Sequence, residues 1–198
     1  MAMKKLLFAL LLLIPFLGIA QERGIGIRLG DPFSLTYKDF VRDYISYELS
    51  LGSGSINSEN YFKKSFDRRP PSPSARMASF SAAKGISLAF RMAAHTDITD
   101  SFELEEGTLL GYLGLGAQLR TTQVSYVYGT FTNTLNPPTP FETDIRTNGD
   151  FGPEVFIGAD YYFDSVPFAV FVETGLFLEI IDRQHLKGQG GLGIRYLF

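Results

Sequence analysis

The chain has 198 residues and a formal net charge of −3, and contains neither cysteine nor tryptophan. That length fits one domain. The lack of cysteine excludes a disulfide framework, a thiolate nucleophile and thiolate metal ligands. A mildly acidic balance argues against general nucleic-acid binding.

Residues 1–20 read as a separate device. "MAMKK" is a basic start, "LLFALLLLIPFLG" an apolar run broken by Pro15, and "GIA" ends on small residues before Gln21. This is the layout of a secretory signal peptide, with cleavage expected after Ala20. The run falls short of the ~20 apolar residues that a spanning helix needs. No cysteine follows the site, so lipoprotein processing is not expected. The mature domain is then 21–198, where 16 basic residues face 21 acidic ones once Lys4 and Lys5 are gone.

From there the chain alternates. "RGIGIRLG" places Ile25, Ile27 and Leu29 on one face, and "FSLTYKDF" groups Phe33, Leu35 and Tyr37. "YISYELSLG" gives Ile45, Tyr47, Leu49 and Leu51, and "GISLAFRMA" gives Ile86, Leu88, Phe90 and Met92. "TLLGYLGLGAQLR" gives Leu109, Leu113, Leu115, Ala117 and Leu119. "PEVFIGADYYF" groups Val155, Ile157, Ala159, Tyr161 and Phe163. "FAVFVETGLFLEI" groups Phe168, Val170, Val172, Leu176, Leu178 and Ile180, and "GGLGIRYLF" closes the series. Eight segments of period two predict eight strands, most near the ~9–11 residues that cross a bilayer when tilted.

The opposite parity carries Arg28, Lys38, Glu48, Arg91, Arg120, Glu154, Asp160, Glu173, Glu179 and Arg195. Five cations and five carboxylates cancel, as groups that pair in one enclosed space must. Gly26, Gly114, Gly116, Gly158, Gly175, Gly191 and Gly193 share this side and leave room in a narrow interior. Two closed architectures fit. A lipocalin-like soluble barrel turns the apolar parity inward, and a membrane barrel turns it toward lipid. Charge cancellation and the interior glycines favour the second. The expected fold is therefore all-β: a closed antiparallel up-and-down transmembrane β-barrel of eight strands.

Connection lengths give a second test, because alternate connections of such a barrel are long on the outside. The turn around Asp43 and the turn "DSVP" are short, while about 52–84 and about 121–150 are the two longest connections. All four obey the rule. The turn at Asp31-Pro32 is short for an outer loop, and "HTDITDSFELEE" is long for an inner turn. "TTQVSYVYGTFTNT" still alternates through Val124, Tyr126 and Tyr128, so the strands are expected to continue past the bilayer as a hairpin with "TLNPPTPFE" as its tip. A ten-stranded barrel using this segment is the structural alternative.

The end of the chain resembles the C-terminal strand of bacterial outer-membrane β-barrels. Leu192, Ile194, Tyr196 and Phe198 match its alternating apolar positions with a terminal aromatic. Over 21–198 the chain is similar to the small eight-stranded porin-like, opacity and OmpA-type barrels. The resemblance implies an outer-membrane location, lipid and lipopolysaccharide as surroundings, and recognition of those four residues by the barrel-assembly machinery. Without tryptophan, any aromatic belt has to be built from tyrosine and phenylalanine.

Chemistry is sparse. His95 reads as a residue of an inner turn and His185 as a polar residue of the last outer connection. A lipid hydrolase would need a serine beside such a histidine, with Asp182 or Glu179 to orient it, and no signature names that serine. Glu173 and Glu179 lie about 20 Å apart along a strand, too far for a dyad. No enzyme, cofactor or metal site is expected. "YFKKSFDRRPPSPSAR" carries Lys63, Lys64, Arg68 and Arg69 against Asp67, and its prolines predict an extended excursion. Those four cations suit lipopolysaccharide phosphates or an acidic extracellular partner. The expected role is structural or surface-binding through the long outer loops, with no open channel. A narrow pore, a lipid-modifying enzyme and a soluble periplasmic binder are the competing readings.

Overall fold

The computed structural model of the chain describes residues 23–54, 57, 59–130, 140–181 and 184–198. The expected signal peptide, most of the expected hairpin tip and Asp182 lie outside the described residues.

The alternating segments form β1 (Arg23–Asp31), β2 (Phe33–Arg42), β3 (Ile45–Ser53), β4 (Ala75–Ala83), β5 (Ser87–Asp97), β6 (Thr108–Thr130), β7 (Glu142–Tyr162), β8 (Phe168–Glu179) and β9 (His185–Leu197). Every pairing is antiparallel, and β6-β5-β3-β2-β1-β9-β8-β7 closes on itself through β6–β7. The ring has eight strands. Closure leaves no open edge around the ring, which is the condition for crossing lipid with strands.

β4 is not a ninth stave. It pairs with β6 from Thr130 to Gln123, and β5 takes over on the same edge from Arg120. The two are one barrel strand broken at 84–86. Gly85 makes the break, because a Cβ there would stand 1.4 Å from the Thr121 carbonyl oxygen. β6 and β7 remain paired out to Tyr128 and Glu142. The segment expected as the connection 121–150 is therefore mostly a continuation of two barrel strands, as its alternation predicted, and no ten-stranded ring forms.

The segment 52–84 differs from expectation. Besides β4 it contains a helix, α1 (Glu59–Arg68), where an extended excursion was predicted. Tyr61, Phe62 and Phe66 form its buried face, with Glu59 in the first turn and Arg68 in the last matching the helix dipole. The prolines at 70, 71 and 73 follow the helix and stop it rather than extending the segment.

The two faces of the barrel are opposite solvents. Ile25, Ile27, Leu35, Leu49, Leu115, Ile157, Val172 and Ile194 are each at least 45% exposed, while Arg28, Lys38, Arg91, Asp160 and Arg195 are each at most 5% exposed. The apolar band on β6 runs from Leu109 to Leu119. That is about 34 Å along the strand and about 26 Å along a normal tilted by about 40°, close to the ~25 Å band of transmembrane barrels. An aromatic girdle borders one end, with Tyr161 on Phe163 at 4.8 Å, Phe168 on Tyr196 at 5.5 Å and Tyr196 on Phe198 at 6.5 Å between ring centroids.

The inward parity of β6 is continuous, but its chemistry changes. Tyr112, Gln118, Arg120 and Thr122 line the lumen, and Val124, Tyr126 and Tyr128 on the same side build a small apolar core with Tyr61, Phe62, Phe66 and Ala75. Water-excluding protein replaces the charged lumen where the helix covers the strands. On the outer face the leucines give way to Gln123 and Ser125 at the same height.

Candidate functional site in the lumen and at the outer mouth

Each strand of the ring sends at least one charged side chain inward, and the register of the ring decides which of them meet. Lys38 and Asp160 pair, and Asp160 also accepts from Arg195 at 2.5 Å. Arg195 reaches Glu48, and Glu48 accepts from Arg91 at 2.8 Å. Arg91 touches Glu154 at 3.1 Å and Glu173 at 3.0 Å, and Glu173 lies 2.8 Å from Arg28. Four cations and four carboxylates thus form one unbroken chain of contacts across the lumen. Several of these are close charge contacts without hydrogen-bond alignment, as at Arg28 Nε.

Aromatic faces hold the cations flat. Arg91 lies 3.7 Å from the Phe156 ring centre and Arg195 3.8 Å from that of Phe171. Gly193 makes room for Phe171 and Gly158 for Tyr112, whose atoms would stand 2.4 and 2.5 Å from a Cβ at those positions. Lys38, Ser46, Glu48, Arg91 and Tyr112 surround a void of only about 10 Å³, about one water.

Above this layer Arg120 lies 3.4 Å from Asp31 and donates to Gln189 at 2.8 Å, while Gln189 bonds Glu154. Lys187 stands 3.2 Å from Asp31. Glu179 sits highest, at the outer mouth. There the Tyr61 hydroxyl of α1 lies 2.9 Å from Asp150 and 3.1 Å from both Glu179 oxygens, with one proton to donate among them. Asn57 donates to Asp150 at 3.1 Å. Burial, then the charges of Asp150 and Glu179, hold the Tyr61 phenol protonated above its usual range.

α1 spans the mouth. Phe62 packs on Phe80 of β4, Phe66 on Tyr126 and Tyr128 of β6, and Tyr61 reaches His185 at the start of β9. Lys63, Lys64, Arg68 and Arg69 are exposed on and just after this helix. Leu192, Ile194 and Tyr196 face outward on β9, and the Phe198 amide donates to the Arg23 carbonyl at 2.9 Å beside the closing seam.

His95 is a correction. It lies within β5, not in a turn, and its buried ring packs between Phe40 and Tyr112 with Ser46 Oγ 2.8 Å from Nε2. This serine–histidine contact is sealed inside the lumen. Sequence reasoning also passed over Tyr112, Gln118, Gln189 and Asp150, although all four share the inward parity. Tyr61, Phe62 and Phe66 carried a signal of their own in a helical spacing.

An apolar exterior around a closed ring with a charged interior defines a transmembrane β-barrel. No protein-family model matches the chain, and no curated protein matches it. Among solved structures it is similar to the N-terminal β-barrel domain of Pseudomonas aeruginosa OprF, at 11% identity and TM-score 0.48, over 89% of this chain and 93% of that one. It is also similar to Ail, the attachment invasion locus protein of Yersinia pestis, at 12% identity and TM-score 0.41, over 89% and 95%.

Proposed function

We propose that this chain is an integral outer-membrane β-barrel protein of a bacterial cell, non-enzymatic, acting as a rigid mount for a surface structure that contacts or binds external partners. One observation carries this reading. The apolar parity is turned outward around a closed ring while a self-neutralising charge chain fills the inside. A soluble barrel of these strands would place its charges in water and its leucines within. The lumen network plugs the barrel, so the reading includes no open channel.

The surroundings in this reading are outer-membrane lipid and lipopolysaccharide, with Lys63, Lys64, Arg68 and Arg69 available to acidic groups outside. Leu192, Ile194, Tyr196 and Phe198 serve as the signal read by the barrel-assembly machinery. Electrophoresis of the membrane fraction with and without boiling tests the core of this. A band that migrates faster unboiled than boiled is expected from a detergent-resistant barrel. Recovery in the soluble fraction without such a shift would overturn the reading.

A further inference from the structure

Among the described residues, the outer part has an open side. β7 is paired with β6 along its length, but β8 pairs with it only from Glu154 inward. Near Arg146 to Gly149 that edge of β7 has no strand beside it among the described residues. Alternate backbone N–H and C=O groups therefore point sideways there. The C-terminal end of α1 and Ile181 flank this edge and enclose a cavity of about 420 Å³.

Three arginines are among its lining residues, Arg68, Arg69 and Arg146. Arg146 is fixed in place: it donates to Asp144 from Nε at 2.7 Å and from Nη2 at 2.5 Å, and lies 5.6 and 5.4 Å from the ring centres of Phe66 and Tyr126. Asn148 and Thr147 of β7 complete the lining beside Arg146. Arginines at a helix C-terminus also complement the helix dipole. That explains Arg68, but not Arg146 on a strand.

We propose that this notch binds a phosphoryl group carried on a sugar-sized ligand. Clustered guanidiniums match tetrahedral phosphoryl oxygens through paired N–H donors, and the volume exceeds what a bare ion fills. The notch opens sideways just above the apolar band, at the height where β8 ends, so a lipid headgroup and a soluble sugar phosphate both reach it. The proposal rests on the reading of this end as the outer face of a membrane barrel.

The test uses the full chain refolded in zwitterionic micelles and titrated by calorimetry with inorganic phosphate and glucose 6-phosphate. A second arm uses nanodiscs of phosphatidylcholine with and without phosphatidic acid. Saturable binding in either arm is expected, weakened at least tenfold by Arg69→Ala. Gly149→Leu should abolish it, since a Cβ at Gly149 meets nothing within 4 Å and the side chain enters open space. Binding in micelles assigns a soluble ligand, and binding in nanodiscs alone assigns a headgroup. Non-saturating heats in both arms, or equal affinity in both variants, would overturn the site. If the boiling shift persists while binding fails, only this inference falls. If the shift itself is absent, the barrel reading falls with it.

Discussion

Arg91 meets three carboxylates and the face of Phe156 at once, at 3% exposure. Removing it strands negative charge in a space that water hardly enters. Arg91→Met should therefore cost about 3–5 kcal/mol, as loss of one partner of a buried ionic group does, measured by urea unfolding in lipid vesicles. Arg91→Lys should recover less than half of that, because one ammonium cannot span three acceptors or stack flat on a ring. Adding Glu154→Gln to Arg91→Met should restore part of the loss, a coupling that independent sites do not show. Parity along each strand puts the ten charged residues on one side in the sequence. Their pairing was not legible, because Arg195 and Glu48 are 147 residues apart and Lys38 and Asp160 are 122 apart. Such contacts exist only once the ring closes in one register. His95 was misplaced for a local reason: the polar "HTDITD" reads as a turn, yet β5 runs through to Asp97.

The same contrast holds one scale up. The barrel strands announce themselves because the bilayer and the lumen each impose a period of two over many residues. α1 has only ten residues, is followed by prolines, and is stabilised by tertiary contacts rather than by its own propensity. The cap is expected to open separately from the barrel. Phe66→Ala removes the ring packed on Tyr126, Tyr128 and Arg146. It should raise the rate of tryptic cleavage between Lys63 and Arg69 more than tenfold, with the urea midpoint of the barrel unchanged. Alkaline pH should act on the same contact. Because docking raises the Tyr61 pKa, its contribution is complete below the free phenol's value of about 10 and is lost as pH rises through and beyond it. Proteolytic protection of α1 should therefore decline above about pH 10. In Tyr61→Phe that decline should flatten.

For the whole molecule, two closures lie in series: the charge chain in the lumen and the helix across the mouth. In the proposed reading either one stops ion flow. The protein should give no discrete conductance steps in planar bilayers. Replacing 57–74 by a glycine-serine linker should leave the current at baseline, since the lumen network does not depend on α1. Steps appearing in the shortened chain alone would show that the lumen is open beneath the cap.

The unbroken inward parity of β6 also constrains how the outer part can change in size. β6 and β7 run from barrel to cap without a joint at which one part could be exchanged for another. Val124 faces Arg146 and Ser125 faces Ile145 across the hairpin. Trimming those four residues together would lower the outer rim by about 7 Å and keep every remaining side chain on its own side. A cut of one residue per strand would turn Tyr126 and Tyr128 outward and leave the helix nothing to rest on. The height of this protein above its membrane can change only in even steps.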